Sequence, residues 1–333
     1  MSIQPLNLVR PTTALDIENG LALVPRIKLN LTIYPSGFTV TKPIDEWKIK
    51  RALVDFLKSS LSTPITVPEE DLNIKRLRDL KKRKRDDPVA TGTLHIWDLG
   101  FLDDSSRKDT EEEDVKDLDK KFFEWRKYLV EKMEGIELNL EGVKFRLSVS
   151  VPASDDFEAM KKLWEEFYAF GNRGYSRGRQ EPDTITLRGL PSRWFSEPRV
   201  SSKPSMLVTH TIFSAFGKIR NLTVAEDDDL GKDAGEESEG LISGLYCKIV
   251  VQFEKYRDFY DALRLLCGRS LQKQGSRLKA DYEVSWEKDA PFRSSRNQIQ
   301  EKDNRSEAPR RHSYSSRHSP ETMRPRRFKV RLL

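Results

Sequence analysis

Thr186 and Arg188 alternate with Ile185 and Leu187 in one run, and Lys248 and Val250 alternate with Cys247, Ile249 and Val251 in another. Strands of this kind turn their apolar side chains inward and set hydroxyl and cationic groups on one outward face. Such a face can hold phosphate by charge and hydrogen bonding. It does not suit covalent catalysis, and no other constellation in the chain does. His95 and His210 have no Cys or carboxylate at ligand spacing, and His312 and His318 sit among Arg, Ser and Pro, so no zinc site is legible. No Gly-rich phosphate loop, nucleophile elbow or paired-carboxylate pattern stands in context. The chain reads as a non-enzyme that needs no metal or cofactor.

The elements that must position this face follow a simple order. Asp183 to Leu190 is a strand that Gly189, Pro191 and Ser192 bring to a stop. Lys203 to Phe216 has helical spacing and Gly217 as its C-cap. Lys218 to Val224 is a strand, Gly244 to Phe253 another, Lys255 to Cys267 a helix capped by Gly268, and Leu278 to Trp286 a last strand. The order β-α-β-β-α-β suggests a ferredoxin-like domain over 183–287, and the RNA recognition motif is the commonest basic-protein user of that arrangement.

In an RNA recognition motif, splayed bases stack on outward aromatics of two signature strands. With Phe253 as the last inward residue of the second strand, those positions are Lys248 and Val250, and in the first strand Thr186. All three stacking positions are empty, so the motif is atypical. Stacking contributes roughly 1–3 kcal/mol per base, so RNA binding must lean on phosphate contacts, assigned to Arg188, Lys248 and Arg220. Tyr246 and Tyr282 replace some of the stacking if they face outward. Trp194 and Phe195, just beyond a strand, are either a satellite core or a contact for a protein partner.

The first half repeats the plan less clearly. Residues 1–25 read as a flexible arm. Arg26 to Tyr34 alternates as a strand, Ile44 to Leu61 is an amphipathic helix, Ile65 and Val67 begin a short strand, and Thr93 to Leu99 is a third. Asp114 to Met133 is a helix, and Ile136 to Val151 holds one or two strands turning at Glu141–Gly142. A cryptic RNA-recognition-motif-like domain with charged insertions is therefore expected over 26–155, joined by a helix and an Arg/Gly linker over 156–182. The fold class is α+β, with two ferredoxin-like domains and a disordered basic tail over 288–333.

Three basic clusters interrupt this plan. Lys81, Lys82, Arg83, Lys84 and Arg85 form a run suited to nuclear import or to phosphate. In Gly171 to Arg179, Arg173, Arg177 and Arg179 could track a phosphate backbone while Tyr175 stacks on a base, or the segment is an ordinary hinge. The tail Ala290 to Leu333 has ten Arg and two Lys against three Glu and one Asp, a net +8, so the remainder of a chain of net +6 sums to −2. Ser313, after Arg310, Arg311 and His312, fits a basic-directed kinase, and Ser319 before Pro320 a proline-directed one. Phosphates there would cancel much of the tail's charge. Glu226 to Asp229 and the acids near them read as a solvated loop that repels nucleic acid.

The run Glu181 to Phe195, the helix after it and FGKIRNLTVA from Phe216 resemble the A-kinase anchor protein 17A-like family, also described as arginine/serine-rich splicing factors. Pro182 to Ile185, Gly189 to Pro191, Arg193 to Phe195 and Phe216 to Asn221 carry the resemblance. It implies a nuclear RNA-binding protein of pre-mRNA splicing with splicing factors as partners. It also names kinase anchoring, through amphipathic helices that in the family lie in a long charged extension after the motif. Here Arg-, Ser- and Pro-rich sequence follows Trp286, and Asp114 to Met133 looks committed to a core, so kinase regulatory subunits are not expected as partners.

Composition is consistent with this reading. The 333 residues leave room for two domains and a tail, and 34% of them are charged. No apolar run approaches about 20 residues, so no membrane span is expected. The two cysteines read as reduced core residues, which points to an intracellular compartment. The rival to an RNA reader is an adaptor whose bare sheet or Trp194–Phe195 loop binds protein.

Overall fold

Leu21, Ala22 and Leu23 are buried in succession, so this strand is covered on both faces. The computed structural model describes residues 5–36, 45–60, 67–77, 87–102, 111–140, 142–170, 181–197, 199–200, 203–227 and 244–287. Within it the segment expected to be a flexible arm forms strands β1 (Leu15–Ile17) and β2 (Leu21–Pro25). Two arginine forks fix it. Arg269 donates to the carbonyls of Arg10 (2.7 Å) and Thr13 (2.5 Å), and Arg264 to those of Leu6 (3.2 Å) and Asn7 (3.3 Å).

β3 (Ile27–Pro35) buries Ile27, Leu29, Leu31 and Ile33 on one face. Helix α1 (Glu46–Ser60) lays Ile49, Leu53 and Leu57 against them, and β4 (Leu72–Arg76) and β5 (Ala90–Ile96) follow. Helix α2 (Glu111–Met133) adds Leu118, Leu129 and Met133 to the same core, and β6 (Glu137–Leu140) and β7 (Val143–Ser150) make a hairpin. The sheet order is β4-β5-β3-β7-β6, with every pair antiparallel. Val67, expected at the start of a strand, is instead buried ahead of β4, and Ile65 lies outside the described residues.

Helix α3 (Phe157–Phe170) leads to β8 (Thr184–Pro191), helix α4 (Met206–Ser214), β9 (Ile219–Glu226), β10 (Tyr246–Phe253) and helix α5 (Tyr256–Leu266). The single strand expected over 278–286 is divided. β12 (Lys279–Ala280) pairs with the unforeseen β11 (Arg269–Lys273), and β13 (Glu283–Trp286) pairs with β8. The second large sheet has the order β13-β8-β10-β9, again antiparallel throughout. In both large sheets the half's first strand is central, between its third strand and its last. The third sheet is β1-β2-β11-β12, in which the arm pairs with the second half.

The two halves expected as separate domains belong to one compact unit, Met1–Asp289. A charged clasp joins them. Arg26, whose side chain is fully buried, pairs with Asp155 and with Asp281 Oδ1 at 3.1 Å. Asp281 Oδ2 lies 3.0 Å from Lys28 Nζ and 2.6 Å from His95 Nε2, both on the first large sheet. Asp281 follows β12, so the carboxylate pins the second half to the first. Arg264 to Asp119 at 2.7 Å makes a second link, from α5 to α2.

Candidate nucleic-acid interface

The outward residues of the second large sheet follow from its register. Thr186 opposes Val250 and Ser285, Val250 opposes Thr223, and Gln252 opposes Asn221. Inward, Ile185, Leu187, Cys247, Ile249, Val251 and Phe253 all join one core. Burial pushes the Cys247 thiol up to about 12. The pairing of β8 with β10 shifts between Cys247 and Ile249, and Gly189 takes φ +79° there, a conformation that costs other residues strain.

The centre of the outward face is closed and its polar groups are engaged. Thr186 is 2% exposed and its hydroxyl donates to Glu287 Oε1 at 2.8 Å, while Val250 is 7% exposed. Both were expected to be open to RNA. Gln252 is buried between Asp183, to which it donates at 2.8 Å, and Asn221, from which it accepts at 2.5 Å.

The cations assigned to phosphate are paired as well. Arg188 lies 3.4 Å from Asp227 Oδ1, and the other oxygen of that buried carboxylate accepts the Gly189 N–H at 3.2 Å. Asp227, expected in a solvated acidic loop, is thus a structural acid of the sheet. Arg220 lies 3.6 Å from Asp183 and donates to the Glu254 carbonyl. Lys248 is half-buried and Tyr246 exposed, so one corner of the face keeps a cation and a ring in the open.

Two aromatic expectations are corrected. Tyr282 faces inward, 3% exposed, and its hydroxyl donates to the Leu266 carbonyl at 2.8 Å, so it has no face for a base. Phe195 is fully buried and lies parallel to Phe213 at 6.4 Å, a core residue rather than a partner contact. Trp194 is half-buried against the same core, and its carbonyl accepts from Asn19 of the arm. Large apolar side chains after a strand read identically whether or not a helix covers them.

Arg173, Arg177, Arg179 and Tyr175, the run Lys81 to Arg85, and Ser313 and Ser319 lie outside the described residues. Among the described residues no group of His, Cys, Asp and Glu is placed to hold a metal ion, and no helix is long and apolar enough to cross a membrane. The carboxylates that organise the face, Asp183, Asp227 and Glu287, escaped sequence reasoning. Each flanks a strand, where an acid usually reads as a solvated end.

Comparison with known proteins bears on this sheet. The AKAP-17A-like RNA-binding domain matches residues 118–325, more than half of the chain. Human A-kinase anchor protein 17A is 34% identical over 105 residues, which is 30% of this chain and 15% of that protein. The alignment thus spans a small part of the relative. The second large sheet lies wholly within the matched region, and on that match the chain belongs to the AKAP-17A-like RNA-binding domain family.

Proposed function

We propose that this chain is a nuclear RNA-binding protein of pre-mRNA splicing, built on two ferredoxin-like modules and holding RNA by phosphate contacts rather than by base stacking. The observation that carries the reading is the family match over 118–325, which coincides with an antiparallel sheet of order β13-β8-β10-β9. That strand order is the split βαβ pattern on which RNA recognition motifs are built. Thr186, Lys248 and Val250 at the stacking positions support the emphasis on phosphate.

Binding of this kind is electrostatic. The affinity of the purified chain for a single-stranded RNA should fall linearly with salt on logarithmic axes. An affinity that does not change with salt, or no binding near physiological salt, would contradict the proposal. The splicing assignment is tested separately, by depleting the protein and sequencing transcripts. Unchanged intron retention and exon choice would remove it.

One observation favours a second reading, an adaptor for splicing factors. The second sheet's face is closed at Thr186 and Val250, while Val200, Met206, Leu207 and Leu245 are large, apolar and exposed. Salt-tolerant capture of a splicing factor that Leu207→Ser abolishes would support it. Kinase anchoring, which the human relative's name states for that protein, is not supported by α2, the helix the sequence offered for it. The apolar stripe of α2 is spent on the core through Leu118, Leu129 and Met133.

A further inference from the structure

We infer that single-stranded RNA lies on the outward face of the first large sheet, β4-β5-β3-β7-β6, and not on that of the second. This rests on the RNA-binding reading above, whose family match takes in β6 and β7 of this sheet but not β3, β4 or β5, and names its surface. Ile27, Leu29, Leu31, Ile33, Leu72, Ile74, Leu94, Phe145, Leu147 and Val149 face the first core, which turns Lys28, Asn30, Thr32 and Tyr34 outward with Asn73, Lys75, Thr91, Thr93, His95, Lys144, Arg146 and Ser148. None of these outward residues is buried. The equivalent central residues of the second sheet, Thr184, Thr186, Val250 and Gln252, are all buried. The first face is open away from the Lys28–His95 corner that Asp281 covers, and the second is shut at its centre.

Charge separates the two faces in the same sense. The first sheet's strands turn out Lys28, Lys75, Lys144 and Arg146 against Glu137, with Asp281 on Lys28 and His95 and Glu134 on the Ser148 hydroxyl reaching the face from beyond the strands. Lys28 is held by Asp281, and Lys144 by Glu137 at 3.1 Å. Lys75 and Arg146 are exposed and make no ion pair among the described residues. The second sheet turns out Arg188, Arg220 and Lys248 against Glu283 and Glu287, with Asp183 and Asp227 at its ends. Phosphate is attracted to the first face and repelled by the second.

The register makes the open face a track. Lys75 opposes Thr91, Thr91 opposes Thr32, and Thr32 opposes Ser148, a row of hydroxyl groups running across the sheet from a lysine. Tyr34, two residues on from Thr32, opposes Arg146 and offers the row a half-exposed ring. Three strand spacings and a two-residue offset put Lys75 and Arg146 roughly 16 Å apart. A strand of RNA crossing the sheet could place a phosphate at each cation and bases against the Thr, Asn and Tyr side chains between them. Hydroxyl and amide groups of this kind suit base edges and the 2′-hydroxyl.

The test is fluorescence anisotropy of the full chain with a labelled, unstructured single-stranded RNA over a salt series. Circular dichroism would check that each exposed-site variant folds. Lys75→Glu with Arg146→Glu should weaken binding at least about tenfold and flatten the salt slope by about 1.4, two contacts at ~0.7 each. Thr223→Glu with Ala225→Glu, which sets two negative charges on the second sheet's outward face, should leave affinity within about twofold. The inference is overturned if the second pair abolishes binding while the first leaves it intact, or if neither pair matters. A wild-type chain that binds no RNA would refute the RNA reading itself, a result distinct from either of these.

Discussion

Replacing Asp281 by Ala removes the carboxylate that Arg26, Lys28, His95 and Ser270 share. A buried hydrogen bond to a charged group contributes about 1.5–3 kcal/mol, and stripping one partner from a buried pair costs about 3–5. Two features reduce that figure. Arg26 keeps Asp155, and Lys28 and His95 are each 17% exposed and can turn to water. A loss of about 2–3 kcal/mol is expected, which for a unit of this size lowers Tm by about 6 °C.

The pH dependence of the same variant is diagnostic. Burial alone would raise the Asp281 carboxyl, but the His95 hydrogen bond, Arg26 and Lys28 outweigh it and hold its pKa well below the usual carboxylate range. A carboxyl depressed on folding stabilises fully above its unfolded pKa, about 3.9, and loses that contribution as pH falls further. The wild-type Tm should therefore drop more steeply than that of Asp281→Ala between about pH 5 and about pH 3. Scanning calorimetry at several pH values reads both effects. A Tm change under about 1 °C with parallel pH profiles would show that Asp281 is merely solvated, and the clasp would be refuted.

Two further predictions follow from burial. Phe195→Ala should destabilise the folded unit by about 3–5 kcal/mol in urea unfolding, since the ring leaves a cavity beside Phe213; a change under about 1 kcal/mol would return Phe195 to the surface. Cys247, fully buried and with its thiol raised by burial, should resist an aromatic disulfide reagent at about pH 8 until denaturant is added. Prompt labelling of Cys247 in the native chain, read in a Cys267→Ser background, would contradict its placement.

Much of the first large sheet was legible because its strands are covered on one side only. Ile27, Leu29, Leu31 and Ile33 alternate cleanly with Lys28, Asn30 and Thr32, and the helix over 111–133 shows its stripe in Leu118, Leu129 and Met133. The third sheet was not legible. β2 is covered on both faces, so Leu21, Ala22 and Leu23 do not alternate, and its partner β11 is far away in sequence. Alternation put Thr186 and Val250 on the correct face but carries no information on whether that face is open. Tyr282 keeps the alternation of the buried Val284 and Trp286, so its inward side was legible, and its hydroxyl reaches the Leu266 carbonyl. Asp227 read as solvent and Asp281 drew no reading, because their partners Arg188, Arg26, Lys28 and His95 come together only through the fold.

The most direct measurement is ultraviolet crosslinking of the full chain to RNA in living cells, with sequencing of the bound RNA and mapping of the crosslinked peptides. The account predicts intron-containing transcripts in the bound fraction and crosslinked peptides from β3, β5 and β7. An absence of crosslinked RNA, or bound RNA made up only of spliced transcripts, would contradict it.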